Sequence, residues 1–195
     1  MSSGDLKDKE LNKEKYIPRL LKLYREEIVS KMREKLGYKN NLSVPRLTKI
    51  VVNMGVGVAI NDSKLTEKAS EELALITGQK AKICRSRKPI SNFKLKKGVP
   101  VGCCVTMRRY RMYEFLDRLI TAAIPRIRDF RGFAPSAFDD KGNYTFGLTE
   151  QNVFTEVQLD KITRTQGMNI TIVTSASSDK EARELLTLFG FPFRK

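Results

Sequence analysis

The side chains of this sequence that could bind a ligand or do chemistry are concentrated in one basic window, residues 73–113. Eleven Lys and Arg residues fall in these 41 positions and no Asp or Glu does, so the other 154 residues share only +4 of the net charge of +15. Solvated helix faces usually interleave both signs. The window therefore indicates a surface that binds phosphates. Its basic residues are Lys80, Lys82, Arg85, Arg87, Lys88, Lys94, Lys96, Lys97, Arg108, Arg109 and Arg111.

Catalytic and metal sites have little support. The chain contains no histidine, which is the commonest general base and a common metal ligand. Gly55-Val56-Gly57 resembles part of a phosphate loop, but it lacks the third glycine and the Gly-Lys-Ser/Thr ending, so a tight turn is expected there. Asp139 and Asp140 have no further spaced carboxylates, which favours a polar turn over a metal loop. We predict no catalytic residue, no metal and no cofactor.

Three cysteines, Cys84, Cys103 and Cys104, form no C-x-x-C pair. Cys103 and Cys104 are sequence neighbours and point to opposite faces of a strand, so they cannot share a metal. We expect all three to be free thiols, buried or half-buried, in a reducing cytosol.

The elements that must position these residues follow from periodicity and turn signals. Helical spacing predicts helices at 16–36, 63–77 and 111–124, and a last helix that begins with a capping box of Ser178 and Glu181 and ends at Gly190. Strands are predicted at 49–54, 79–85, 92–97, 101–108 and 168–174, with turns at Pro89 and 97–100. The Gly-, Pro- and Asp-rich stretch between the third helix and the last strand is predicted to be loop.

This irregular alternation predicts a single α+β domain, with a mostly antiparallel sheet and helices packed on one face. The domain is expected to span residues 16–195, whereas residues 1–15 are polar and nearly neutral and are expected to form a disordered or loosely helical extension. No apolar run approaches the roughly 20 residues of a spanning helix, so no membrane partner is expected.

Alternation within the strands predicts an open polar face. In 101–108 it sends Thr106 and Arg108 to the side opposite Val105, and in 49–54 it separates Asn53 from the apolar residues. If helices cover the apolar face, an amide, a hydroxyl and a guanidinium lie together on the other face, and such a mixture suits RNA. The alternative is that these are ordinary polar residues on a solvated sheet.

Phe93 is the single aromatic residue within the basic segment 85–98. An exposed aromatic could stack on an unpaired base for about 1–3 kcal/mol. Packing inward beside Leu95 is the alternative, and the sequence leaves both open.

A series of ordered motifs makes the chain from about residue 16 onward resemble the bacterial L5 family of large-subunit ribosomal proteins. No single motif would suffice, but their number and order make the resemblance specific. They are Val44-Pro45-Arg46-Leu47-Thr48-Lys49, Asn53-Met54-Gly55-Val56-Gly57, Thr77-Gly78-Gln79-Lys80, Arg87-Lys88, Phe93-Lys94, Gly98-Val99-Pro100-Val101-Gly102, Ile124-Pro125-Arg126-Ile127-Arg128-Asp129-Phe130-Arg131-Gly132, Gly142-Asn143-Tyr144 and Phe189-Gly190-Phe191-Pro192-Phe193-Arg194-Lys195.

The resemblance implies a structural protein of the bacterial ribosome, hence cytoplasmic, whose sheet and adjoining loops bind 5S rRNA. It implies a place in the central protuberance, where the protein helps to attach 5S rRNA to 23S rRNA beside neighbouring 5S-binding ribosomal proteins. It further implies that a long loop, here about residues 86–100, contacts P-site tRNA. Contact with the thirteenth small-subunit protein would form an intersubunit bridge.

The implied roles fall on two groups of residues. By motif position, an rRNA-binding role passes to Asn53, Gln79, Phe93, Thr106 and Arg108, and a tRNA-contacting role passes to Arg87, Lys88, Lys94 and Lys96. The basic window adds Lys80, Lys82 and Arg85 to the rRNA-binding group and Lys97 to the loop group.

Two other functions remain as alternatives. One is a general nucleic-acid binder outside the ribosome, and the other is a phosphoryl-transfer enzyme that uses Gly55 and Gly57. The chain also departs from the family pattern at Val58, Thr155, Gln166 and Asn169, and these departures lie outside the basic window.

Overall fold

The computed structural model describes residues 16–57, 63–157 and 164–194 of the chain. The predicted extension at 1–15 lies outside these residues. Within them the chain forms one five-stranded antiparallel sheet in the order β2-β3-β1-β5-β4, with helices on one face. This confirms the predicted α+β class. The strands are β1 Leu47–Gly55, β2 Lys82–Arg85, β3 Pro100–Met107, β4 Tyr144–Leu148 and β5 Met168–Thr174.

Four helical segments accompany the sheet in the described part of the chain. Helix α1 is continuous from Arg19–Leu23 through a π-helical turn at Tyr24–Ile28 to Val29–Leu36, and α3 runs through Arg109–Arg118 and a π-helical turn at Leu119–Ala123. Helices α2, Ser63–Thr77, and α4, Asp179–Leu188, are regular. None of these described helices is both long and apolar enough to cross a bilayer.

The core lies between the helices and the apolar face of the sheet. Ile50, Val52 and Met54 of β1 are buried, and so are their register partners Met107, Val105 and Cys103 of β3. β1 is the central strand because it pairs with β3 on one side and β5 on the other. The predicted alternation in β1 and β3 is therefore confirmed, and its polar half lies on the side away from the core.

Strand β4 was not expected, because residues 125–167 were predicted to be loop. Its buried residues alternate as Tyr144, Phe146 and Leu148, but the strand is short and contains Gly147, and the surrounding glycines, prolines and aspartates mask the pattern. β4 pairs with β5 as the edge strand on that side of the sheet, and it contributes residues to an aromatic cluster. The cluster consists of Phe133, Phe138, Tyr144, Phe146, Phe191 and Phe193.

Two local predictions were wrong. Residues 92–97 are not a strand, because a short 3-10 turn at Ser91–Phe93 and a left-handed Lys94, with φ of +51°, reverse the chain there.

The capping box of α4 is incomplete. Glu181 does reach back, but its Oε2 accepts the N–H of Ser177 at 3.0 Å, and the Ser178 side chain caps nothing.

The pairing of β1 with β3 depends on Gly102. A Cβ built at this position would lie 2.4 Å from the main-chain oxygen of Met54, whereas one at the opposed Gly55 would meet nothing within 4 Å. We expect Gly102→Ala to lower the free energy of unfolding by about 1–3 kcal/mol, since two backbones must separate. Gly55→Ala is the matched control, and urea denaturation measures both. Equal losses in the two variants would contradict the close-approach argument.

Candidate nucleic-acid interface

The face of the sheet that points away from the core carries a central row of small and polar side chains. The register aligns Lys82 with Cys104, Cys104 with Asn53, and Asn53 with Asn169. Asn169 in turn opposes Gly147, so the row crosses all five strands. Because β1 is central, Asn53 stands in the middle of this face, and its side chain is exposed. We call this surface the open face.

A second row runs beside the first. Val51 of β1 is opposed by Thr106 on one side and by Thr171 on the other. Thr171 is opposed by Thr145 of β4, and the two hydroxyl oxygens lie 3.0 Å apart. The hydroxyls offer both donors and acceptors, and together with the asparagine amides they can meet phosphates, ribose hydroxyls and base edges.

No acidic residue occurs in any of the five strands. The described carboxylates lie instead on helices and loops, where several form ion pairs, such as Asp117 with Arg19 of α1 and Glu184 with Lys35. A polyanion that approaches the open face therefore meets no fixed negative charge on it, whereas the helical side mixes both signs.

The structure brings four of the predicted rRNA-binding residues together. Asn53, Thr106 and Lys82 lie on the open face, as their register positions require. Arg108 is exposed at the end of β3, where its extended backbone (φ −139°, ψ 164°) caps the start of α3. The predicted placement of Asn53 and Thr106 by alternation is thus confirmed, whereas Arg108 lies one residue beyond the end of β3.

Three further predicted residues lie at the margin of the open face. Gln79 is half-buried and its Nε2 donates to the carbonyl oxygen of Thr106 at 3.3 Å, so it holds the turn before β2 against β3. Arg85 donates from Nη1 to the carbonyl of Gly98 at 3.1 Å, across the base of the loop. Lys80 is exposed in the turn that leads into β2.

The long loop between β2 and β3, residues 86–99, forms an arm. Ser86 closes its base, since its N–H donates to Val99 O at 2.9 Å and its O accepts from Gly98 N–H at 3.0 Å. Ile90 and Leu95 exchange two backbone hydrogen bonds nearer the tip. The arm therefore projects as a narrow hairpin-like structure. Its predicted tRNA-contacting side chains are all exposed, namely Arg87, Lys88, Lys94, Lys96 and Lys97.

Phe93 lies at the tip of this arm and its side chain is 67% exposed. The alternative that it packs inward with Leu95 is therefore wrong. Ile90 is also exposed, so the tip presents an aromatic ring and an aliphatic side chain among lysines. This combination matches the stacking platforms that bind unpaired bases.

An arginine groove adjoins the open face near the end of β3, and the sequence did not reveal it. The groove has a volume of about 1080 Å³, and residues of α1, β1 and the β3–α3 junction line it. Arg25 and Arg46 were missed because they lie far in sequence from the basic window, and only the fold brings them beside Arg108. The Arg46 backbone is held by Ser175, whose N–H donates to Arg46 O at 2.9 Å and whose Oγ accepts from Arg46 N–H at 3.0 Å. The arginines of the groove are Arg25, Arg46, Arg108, Arg109 and Arg111.

Two motifs considered for other chemistry have local roles. The Asp139 carboxylate accepts hydrogen bonds from Asn143 and from the N–H of Lys141, and these bonds, chiefly those of Asn143, lower its pKa. This is the predicted polar turn. Gly55 ends β1, and its carbonyl accepts from Gln166 Nε2 at 2.8 Å, which ties the end of β1 to the segment before β5.

Comparisons with known proteins agree with the resemblance drawn from the motifs. The family model described as ribosomal protein L5 matches residues 40–96, and the model of the C-terminus of the same ribosomal family matches residues 100–193. Proteins named large ribosomal subunit protein uL5 are 58% identical in Thermobifida fusca, 55% in Corynebacterium diphtheriae and 57% in Streptomyces griseus. These alignments cover 92%, 93% and 91% of this chain and 94%, 97% and 96% of the relatives.

Proposed function

The chain belongs to the ribosomal protein L5 family, and from that premise we propose that its open face binds 5S rRNA and helps to attach it to 23S rRNA. Membership makes the protein a structural constituent of the large ribosomal subunit, not an enzyme, and as a bacterial ribosomal protein it is cytoplasmic. The choice of 5S rRNA as the ligand of the open face is our proposal.

The observation that carries the proposal is a five-stranded face without a single carboxylate, with Asn53 at its centre. An A-form RNA helix presents a wide, shallow minor groove lined by 2′-hydroxyls, which a broad polar sheet can approach. Amides, hydroxyls and two lysines, Lys49 and Lys82, supply donors and acceptors for ribose and phosphate without the desolvation cost of many charges. The open face therefore fits the shape and chemistry of folded RNA.

The arginine groove and the arm would extend this contact in two directions. Five guanidiniums lining one groove can each hold a phosphate in a bidentate contact, which suits a second rRNA segment such as 23S rRNA. The arm carries five exposed cations away from the sheet, so we assign these cations the contact with P-site tRNA, whereas Phe93 at its tip keeps the predicted rRNA-binding role. The thirteenth small-subunit protein and neighbouring 5S-binding proteins are the protein partners that we propose.

A binding titration tests the proposal against a general nucleic-acid binder. We expect the purified protein to prefer 5S rRNA over unrelated duplex RNA of equal length by roughly a hundredfold or more. The affinity should fall with salt, with a log–log slope of about −0.7 to −0.9 for each phosphate contacted. Equal affinity for the two RNAs at every salt concentration would favour the general binder.

A second titration tests whether the sheet and the arm bind different RNAs. We expect the triple variant Lys94→Ala, Lys96→Ala, Lys97→Ala to bind 5S rRNA within about threefold of the unmodified protein, because only long-range attraction is lost. Ribosomes that carry it should bind P-site tRNA more weakly. The matched control replaces Lys22, Lys31 and Lys180 on α1 and α4 with Ala. If the arm variant lost 5S rRNA and tRNA binding equally, the assignment of the arm to tRNA would be wrong.

A further inference from the structure

Two of the three cysteines meet on the open face. Cys84 of β2 and Cys104 of β3 lie on neighbouring strands, and the Cys84 thiol donates a hydrogen bond to the sulfur of Cys104 at 3.5 Å. Both are free thiols and half-buried. In the register Cys84 opposes Gly102 and Cys104 opposes Lys82, so the two cysteines form a diagonal cross-strand pair.

We propose that Cys84 and Cys104 form a redox-active dithiol, which a low-molecular-weight disulfide converts to an intramolecular disulfide while the open face is free of RNA. The protection by RNA rests on the proposed function, whereas the dithiol itself rests on the geometry of the two sulfurs.

The chemistry is a two-step thiol–disulfide exchange. The Cys84 sulfur, as thiolate, attacks one sulfur of the small disulfide, breaks the S–S bond and releases one small thiol. The Cys104 sulfur, after loss of its proton, then attacks the Cys84 sulfur and releases the second small thiol. The protein loses two hydrogens and two electrons, and the small disulfide gains both.

Cys103 cannot substitute for either partner. It is fully buried on the core face, and burial raises the pKa of its thiol to about 11. Its neighbour Cys104 points to the other face, where burial and the hydrogen bond with Cys84 raise its pKa while Lys82 opposes the rise. Cys84 lies on the edge strand β2, where a small disulfide can reach it from outside the sheet, and it is the first nucleophile in our scheme.

A disulfide fits this pair better than a bound metal does. Zinc needs four ligands as a rule, and among the described residues no group of three or more His, Cys, Asp or Glu could hold a metal. The adjoining charge is the cation Lys82, which repels metal ions and favours a thiolate.

The position in the sheet favours a reversible bond. Diagonal residues lie about 7–8 Å apart, slightly beyond the usual Cα separation of a disulfide, so one strand must move by roughly 1 Å. β2 can move, because it is a four-residue edge strand whose register shifts between Cys84 and Arg85. A disulfide formed under such strain is easily reduced. The same movement would displace the base of the arm, which follows β2 directly.

The test uses the full chain, oxidised glutathione and differential alkylation followed by mass spectrometry. We expect a cross-linked pair of peptides that contain Cys84 and Cys104, with a mass loss of about two hydrogens, and Cys103 still alkylated after denaturation. In Cys104→Ser, Cys84 should form a glutathione adduct and no cross-link, whereas Cys103→Ala should retain the cross-link. Separate glutathione adducts on Cys84 and Cys104, or two unreacted thiols, would overturn the proposal.

A second part of the experiment adds RNA. With 5S rRNA at ten times its Kd, only about one protein in eleven is free, so cross-linking should slow roughly tenfold, and unrelated duplex RNA should not protect. A cross-link that forms at the same rate in bound protein would overturn the protection by RNA and the placement of 5S rRNA on the open face, but not the dithiol. Failure of the cross-link in a protein that binds 5S rRNA would overturn the dithiol alone.

Discussion

The double variant Asn53→Asp, Arg108→Ala should bind 5S rRNA roughly 30-fold or more weakly than the unmodified protein. Asn53 is the exposed centre of the open face, and Arg108 lies where that face meets the arginine groove. Each loss of a hydrogen bond to a charged or buried partner costs about 1–3 kcal/mol. The sites are roughly 13 Å apart along the strands, so their effects should add to about 2–6 kcal/mol.

Asn53→Asp is nearly isosteric, so it tests charge more than shape. It places a carboxylate on a sheet that has none and that our proposal sets against phosphates. The matched control, Lys31→Gln with Lys180→Gln, changes the net charge by the same amount on the exposed sides of α1 and α4. We expect the control to change the Kd less than about threefold, because its charges lie across the sheet, beyond a Debye length of about 8 Å.

Filter binding or fluorescence anisotropy at a fixed salt concentration measures both variants, and circular dichroism checks that they fold. If the double variant and the control weakened binding to the same extent, net charge alone would explain the affinity. The open face would then not be the binding surface.

Phe191→Ala should lower the free energy of unfolding by about 3–5 kcal/mol. Phe191 is 3% exposed and lies at the centre of the aromatic cluster. Its ring centroid is 5.0 Å from that of Phe133, 5.5 Å from Tyr144 and 5.2 Å from Phe193. Truncation leaves a cavity. The neighbouring rings from β4 and from the C-terminal segment cannot move to fill it, because each ring already packs against the others.

Phe93→Ala is the matched control for this prediction. It removes the same side-chain atoms from the exposed tip of the arm, so the free energy of unfolding should change by less than about 0.5 kcal/mol. Urea denaturation followed by circular dichroism measures both variants. A loss below about 1 kcal/mol in Phe191→Ala would mean that the aromatic cluster is not part of the cooperative core.

Elements with strong local periodicity could be predicted from the sequence. Helix α2 and strand β5 have the predicted bounds, and the alternation in β1 and β3 placed Asn53 and Thr106 correctly. Predictions that depended on weak local sequence signals were wrong. β4 is short and contains Gly147, a residue type that is rare in strands, and the Ser91–Phe93 turn occurs in a segment whose residues alternate as in a strand.

The site itself could be predicted only in part, since a basic window is visible in sequence but a surface is not. Asn169 and Thr171 complete the open face because β5 pairs with β1, more than a hundred residues earlier in the chain. Arg25 and Arg46 join Arg108 through the packing of α1 near the start of β1. Cys84 meets Cys104 because of a register between β2 and β3 that no spacing rule specifies.

The sequence by itself determined the charge, the absence of carboxylates along the strands and the side of each strand on which a residue lies. These properties are local, because successive side chains of an extended chain point to opposite faces whatever the strand pairs with. Strand order, register and the packing of α1 were decided only by the tertiary structure. They depend on burying the apolar faces of distant segments together, which no short stretch of sequence encodes.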